Sequence, residues 1–442
     1  MELLEKAQQL LEAQPLCNHC LGRQFALLGY GLDDSERGQT LKLLLTMKNH
    51  QLALSGKKAG FSNLRLLASN GSFEMASEIL KNMRKRAKKK QPCYLCQGLF
   101  ESVDILLENA LEALKSYEYT TFLVGIELPN MIEEREDEFK ALFEVTHGES
   151  MRNEFSRHIG KKLSEATKKP AEFKKPDVVV LVRPFTGEVI IQSNPLYVRG
   201  AYKKLVRDVP QSKWFCRSCR GEGCQKCNGT GKMYAESVEE IIAGPLLEKT
   251  CGEDVALHAA GREDVDARML GTGRPFIIEV KRPKNRFIDL QKLEADINEY
   301  GKGKVEVLNL VSASKDDVKR LKKGEGSTKV YKVFINFDRD VSDEELVTIT
   351  EKLSKSIVHQ RTPLRVLHRR ADLIRERYIY EAYLKRLASN RAEMKIRCQG
   401  GLYIKELVSG DEGRTVPSVA SIINAEAKPL ELDVLKVIME ES

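Results

Sequence analysis

The sequence predicts a multidomain α+β protein, and three observations predict it. The 442 residues suffice for about two to four domains of ordinary size. The texture changes once: leucines at helical spacing dominate as far as Ser116, and strand-like runs alternate with helix-like ones after Tyr119. Eight of the ten cysteines form four Cys-x-x-Cys pairs, a spacing that reads as metal ligation.

Composition narrows the class. The formal net charge is +8 and the sequence pI about 8.8. Excess cations suit a polyanionic partner, because binding releases condensed counterions. Charged residues make up 31% and apolar ones 42%, as in a soluble globular protein. No apolar run reaches bilayer-spanning length, so no membrane partner is expected. Met1 to Lys6 reads as an acidic amphipathic helix start rather than a signal peptide. The expected location is the cytoplasm. There, paired cysteines read as metal ligands rather than as a disulfide framework. Cys251 and Cys398 stand alone and take no role.

Four regions follow in order: 1–116, 117–210, 211–235 and 236–442. In the first, Leu3, Leu4, Ala7, Leu10 and Leu11 keep helical spacing, and Ser102 to Leu114 repeats the pattern. Between them the basic run Arg84 to Lys90 reads as a solvated helix face that could track phosphates. In the second, Thr121–Ile126, Asp177–Val182 and Glu188–Gln192 read as strands and Ser150–Thr167 as a helix. Its end, Asn194 to Lys204, mixes aromatics with cations, which suits base stacking with phosphate contact. An ordinary strand with tyrosines on its core face is the alternative. The third is a cysteine- and glycine-rich insert. In the fourth, strands are expected at Pro275–Val280, Val305–Leu310, Val330–Ile335, Arg365–His368, Ile379–Tyr383, Met394–Cys398 and Leu430–Val437. Helices are expected at Ser237–Leu247, Leu290–Glu299, Lys315–Lys322, Ser342–Ser354 and shortly after Tyr403.

Cys17, Cys20, Cys93 and Cys96 can together supply a tetrahedral thiolate site, the structural zinc pattern. Cys216, Cys219, Cys224 and Cys227 form tandem Cys-x-x-Cys-x-Gly-x-Gly units. These resemble the zinc knuckles of DnaJ-type chaperones, over this insert alone. Both sites are closed by thiolates, whereas a catalytic zinc keeps an open position. Structural zinc is therefore the expected cofactor.

The most informative stretch runs from Gly261 to Phe276 and sets three acids between two arginines. If it is extended from Arg262 to Arg268, then Arg262, Asp264, Asp266 and Arg268 share one side, with Glu263 and Val265 opposite. A carboxylate beside guanidinium groups stays ionised, as a nucleophile or base requires. Two further segments join it: Lys329-Val330-Tyr331, and Gly401-Leu402-Tyr403-Ile404-Lys405.

These three segments resemble the motifs of pseudouridine synthases. The chain as a whole, including Thr362 to Arg370, resembles the archaeal and eukaryotic tRNA pseudouridine synthase family called Pus-ten. The resemblance implies a catalytic domain at 236–442 with a mixed or antiparallel sheet. It also implies a zinc-containing accessory part, with a THUMP-like RNA-binding module at 117–210. Asp264 matches the catalytic aspartate of Arg-x-Asp, an assignment that rests on Arg262 because a second acid, Asp266, follows. Tyr331 matches the strand tyrosine under the target base. Lys405 matches the cation that pairs with the aspartate, in a motif shared with Tyr403. Lysine offers a point charge where related synthases often carry the arginine fork. Substrate contacts are expected from Tyr331, Tyr403, Arg262, Arg268, Arg274, Arg365, Arg369 and Arg370. The implied reaction converts T-loop uridines of tRNA, at positions 54 and 55, to pseudouridine without an organic cofactor. Glycal and acylal intermediates both fit. The competing reading is a non-catalytic, zinc-containing RNA-binding protein.

Overall fold

Period-two alternation of buried and open positions marks the strands, as in iBiBiB order along Thr328–Phe337. The computed structural model describes residues 2–323 and 327–438, with the backbone alone at Lys323 and Arg369. It divides into two units at Asn194/Pro195.

The first unit sets helices α1 (Leu3–Ala13), α2 (Asn18–Gly22), α3 (Asp34–Leu54), α4 (Lys58–Ser69), α5 (Glu74–Asn82), α6 (Val103–Leu114), α7 (Asn130–Leu142) and α8 (Met151–Thr167) with a small sheet. That sheet holds β1 (Phe122–Ile126), β2 (Val178–Arg183) and β3 (Glu188–Ser193) in that order, β1/β2 parallel and β2/β3 antiparallel. Phe122, Val124, Val178 and Val180 share one core with Phe155, Ile159 and Leu163 of α8. Ser150 caps α8 by accepting from the Asn153 amide at 3.2 Å, which fixes the predicted start. The basic run is not a helix face. Helix α5 stops at Asn82, and Lys85 to Lys90 are exposed and irregular.

The second unit is built on a mixed sheet. Its elements are β4 (Leu196–Lys204), α9 (Val238–Thr250), β5 (Asp254–Ala259), β6 (Ala267–Lys281), α10 (Leu290–Tyr300), β7 (Val305–Ala313), α11 (Lys315–Lys323), β8 (Thr328–Phe337), α12 (Asp343–Leu353) and β9 (Ser356–Arg361). They continue with β10 (Ile374–Ala388), β11 (Arg391–Gln399), α13 (Ile404–Ser409), β12 (Thr415–Val416), α14 (Val419–Ile423) and β13 (Ala427–Ile438). The strand order is β12-β9-β10-β11-β8-β13-β6-β4-β7, with β5 on β6. Within this second sheet, only β6 and β13 run parallel among the described pairs.

Two expectations are corrected here. The stretch from Asn194 to Lys204 does not close the accessory module: β4 hydrogen-bonds to β6 and β7, so the boundary falls before it rather than at 210. Residues 365–368 are not a strand. Pro363 fixes the entry to a 3-10 helix at Leu364–Arg369, where the Val366 amide donates to the Pro363 carbonyl at 3.0 Å. Strands β5 and β9 were not anticipated.

Register positions the site. Met269, Val434, Tyr331 and Ile396 lie abreast on β6, β13, β8 and β11, and therefore point to one face. One residue earlier on β6, Arg268 stands abreast of Asp433 and Lys332, on the opposite face.

Candidate active site

The loop that enters β6 is pinned residue by residue. Gly261 has φ +83°, in the left-handed region that strains any residue with a Cβ and favours glycine. The Arg262 guanidinium lies over the Trp214 ring at 5.3 Å. Glu263 turns inward, bonded to Arg274 Nε at 2.8 Å and to the Tyr202 hydroxyl at 3.0 Å. The Ala267 amide donates to the Asp264 carbonyl at 3.0 Å, closing a turn, so the stretch is not extended throughout. Fully buried Lys204 donates to the carbonyls of Val209, Asp264 and Val265 at 2.7, 3.2 and 3.0 Å. Its ammonium is thereby a clamp on the loop backbone.

That frame turns the Asp264 carboxylate toward two cations. Arg365 grips it as a fork, Nη1 to Oδ1 at 3.1 Å and Nη2 to Oδ2 at 3.0 Å. The remaining Nε of Arg365 donates to Glu406 at 2.6 Å. Burial works against the Arg365 charge, but Glu406 and Asp264 outweigh it and raise its pKa. Lys405 does not take the role expected of it alone. Its Nζ bonds Asp266 at 2.6 and 2.7 Å and reaches Asp264 Oδ2 only at 3.6 Å. Burial pushes the Asp266 carboxyl up, and the Lys405 ammonium more than offsets this, leaving it below its ordinary value. The fork that the third motif lacks is thus supplied from the Leu364–Arg369 segment.

Asp264, Tyr331, Tyr403, Lys405 and Arg365 line one cavity of about 870 Å³. Tyr331 is buried, and burial raises its phenol well above the ordinary value, so it is neutral. Tyr403 caps α13, and its backbone is held from both sides by the amide of buried Gln360, at 2.8 and 3.0 Å. Arg262 and Arg370 also border the cavity. Arg375, Arg377 and Lys329 extend the cationic lining.

Other expected contacts are spent on the fold. Arg274 is 1% exposed and bonded to Glu263 and the Ala260 carbonyl, so it cannot meet a substrate. Arg268 forks onto Asp433 at 2.9 Å on the opposite face of the sheet. Arg207 joins them at 2.9 Å, making Asp433 a buried hub. Tyr202 and Lys204 face the core, and Tyr197 donates to Glu279, so β4 is the ordinary strand rather than a stacking surface. Arg361, just ahead of the cationic Thr362 to Arg370 stretch, is paired with Asp372 at 2.7 Å. The Arg369 side chain lies outside the described residues. Sequence reasoning missed Trp214, Lys204, Glu263, Gln360 and Glu406.

Residues 197–438 match the family model "Pus10, C-terminal", and residues 106–183 match "Pus10 THUMP domain, archaeal". The chain belongs to the Pus10 family. Its relatives include the tRNA pseudouridine synthase Pus10 of Methanocaldococcus jannaschii, 43% identical over 97% of this chain and 93% of that protein. The protein of the same name from Methanothrix thermoacetophila is 40% identical over 99% and 94%. That of Pyrococcus furiosus is 36% identical over 99% and 98%. Among solved structures, one titled "Crystal structure of pseudouridylate synthase" matches at TM-score 0.22 and 12% identity, covering 57% of this chain and 68% of that one. So loose a likeness carries no argument. The Pus10 match begins at residue 197, which agrees with β4 belonging to the second unit.

Both cysteine quartets come together, and either could hold a metal ion. In each, the four sulfurs lie within 4.8 Å of one another. Cys17 and Cys96 are 3.6 Å apart, Cys216 and Cys224 3.9 Å, and Cys219 and Cys227 3.8 Å. Backbone amides of Gly223, Cys224 and Gly231 point at the knuckle sulfurs at 3.2 Å. Among the described residues no helix is long and apolar enough to cross a membrane.

Proposed function

We propose that this chain isomerises T-loop uridines of tRNA, at positions 54 and 55, to pseudouridine, with Asp264 as the reacting carboxylate. The observation that carries the reading is the Asp264 carboxylate, forked by Arg365, in the cavity that Tyr331 also lines. Membership of the Pus10 family supports tRNA as the substrate.

A uridine buried in a folded loop must first be extruded. The neutral Tyr331 ring offers its base a flat apolar partner. Asp264 then either adds to C1′ or takes a proton from C2′, and in both routes the N1–C1′ bond breaks with its electron pair on the uracil. The uracil turns and its C5 bonds to C1′, which expels the Asp264 carboxylate in the first route or is matched by return of the proton to C2′ in the second; C5 then loses its proton and N1 gains one. Atoms and electrons balance within one nucleoside. Arg365 holds and aims the Asp264 carboxylate, and Lys405 with Asp266 steadies the adjoining turn. Arg262 and Arg370 supply cations for the flanking phosphates.

Zinc fits both quartets. Tetrahedral thiolates at about 2.3 Å from zinc stand about 3.8 Å from one another, and the sulfur pairs measured here span 3.6 to 3.9 Å. Zinc would bind Cys17, Cys20, Cys93 and Cys96, and Cys216, Cys219, Cys224 and Cys227, and supply structure only. We place the reaction in the cytoplasm, with its tRNA.

Incubating the protein with an unmodified tRNA transcript and mapping pseudouridine tests the reading. Product at the two T-loop positions is expected, and Asp264→Asn should abolish it while tRNA binding survives. Near-normal turnover in that variant sinks the assignment. Binding without product in the unaltered protein would favour the non-catalytic RNA binder.

A further inference from the structure

Trp214 is the chain's single tryptophan, and it stands where the cavity meets the cysteine knuckle. It borders the cavity beside Gly261 and Arg262. One side of its ring carries the Arg262 guanidinium at 5.3 Å, and Tyr234 meets it edge-on at 5.5 Å and 77°. The residue is only half-buried, so part of a large apolar ring remains open. An aromatic ring of this size contributes most when something covers it.

The backbone at Trp214 is the root of the knuckle. Its carbonyl accepts from the Met233 amide at 2.9 Å, Phe215 bridges to Lys232, and the Cys216 amide donates to the Gly231 carbonyl at 2.8 Å. This short antiparallel stem runs from the ring straight into the four sulfurs. Phe215, next in the strand, is 55% exposed with Lys213 Nζ 5.3 Å from its ring. From Lys213 to Lys232 the segment sets Lys213, Arg217, Arg220, Lys226 and Lys232 against a single acid, Glu222. That balance suits a phosphate chain.

We infer that Trp214 stacks on a nucleobase adjoining the extruded uridine, and that the cysteine knuckle is the device that fixes its ring. Identifying the ligand as RNA rests on the function proposed above; the inference adds where the neighbouring base is gripped. Stacking of this kind tolerates any base, because each has a π-face. Arg262 then serves twice, as a cation behind the ring and as part of the loop that carries Asp264.

A lone tryptophan makes its own reporter. In Asp264→Asn, which should hold substrate unconverted, titration with unmodified tRNA transcript should quench the emission in step with binding measured by filter retention. Trp214→Ala should weaken that binding roughly ten- to hundredfold, and Trp214→Phe by only about threefold, since a phenyl ring still stacks. Unchanged emission at saturating tRNA overturns the stacking, and needs no variant at this position that might fail to fold. Stripping metal with a chelator should shift the emission to the red and abolish the quench. The same emission and quench after metal removal overturns the role given to the knuckle. A normal quench in a protein that forms no pseudouridine supports the stacking and rejects the Asp264 chemistry.

Discussion

Replacing Arg365 by methionine separates the charge that serves Asp264 from the charge that serves the fold. Arg365 gives two N–H groups to Asp264, at 3.1 and 3.0 Å, and its Nε to Glu406 at 2.6 Å. The Glu406 side chain is 6% exposed, and its other oxygen has no hydrogen-bond partner among the described residues. Stranding a buried carboxylate costs about 3–5 kcal/mol. Arg365 itself is 36% exposed, so solvent screening brings the loss to about 2–3 kcal/mol. For a unit of this size that lowers Tm by about 5–10 °C. Loss of the fork on a partly exposed carboxylate removes about 2 kcal/mol of transition-state support, or about thirtyfold in kcat/KM. Thermal unfolding and single-turnover pseudouridine formation read the two effects. The double variant Arg365→Met/Glu406→Gln should recover most of the stability, because an amide needs no counter-charge, yet none of the activity. Normal turnover in the single variant would refute the reasoning about Asp264. A double variant as unstable as the single one would refute the reasoning about Glu406.

Burial pushes the Lys204 ammonium down to about 8, against partial support from Glu263, Asp266 and Asp264. The unfolded chain holds that proton to about pH 10.4. Between about pH 8 and 10 the unfolded state therefore binds more protons, and this residue makes stability rise with pH. Denaturant unfolding of Lys204→Met should lack that rise; an identical pH slope in both proteins would contradict it. Metal analysis of the reduced protein should give two zinc ions per chain, and a content near zero would remove both sites.

The strands of the second unit were legible because a half-buried strand writes its register as alternation. Lys329–Tyr331 on β8 and Pro275–Val280 on β6 needed nothing else, and the loop before β6 stood out by its three acids between two arginines. What the sequence hides is which cation meets which carboxylate. Arg262, Arg268, Arg274 and Arg365 are equivalent as letters, yet they end on a tryptophan ring, a sheet-face carboxylate, a buried glutamate and the cavity-lining Asp264. The difference arises from register. The parallel pairing of β6 with β13 puts Arg268 abreast of Asp433, and so on the face away from the cavity. The same pairing leaves Asp264 at the strand's entry, where a segment 101 residues further along the chain can reach it. Arg365 looked like a phosphate contact because Thr362 to Arg370 is rich in cations and Arg365–His368 reads as a strand. As a 3-10 helix it turns one guanidinium inward between Asp264 and Glu406, and Arg370 alone of that cluster's described arginine side chains still lines the cavity without an ion pair to a carboxylate. Lys204 shows the same limit from the other side: a cation in a stretch rich in aromatics became a buried clamp, because β4 lies inside the sheet rather than beside it. Local pattern thus specifies the elements and the acidic loop that enters β6. The electrostatic frame around that loop is a property of strand order, and strand order is what the letters do not carry.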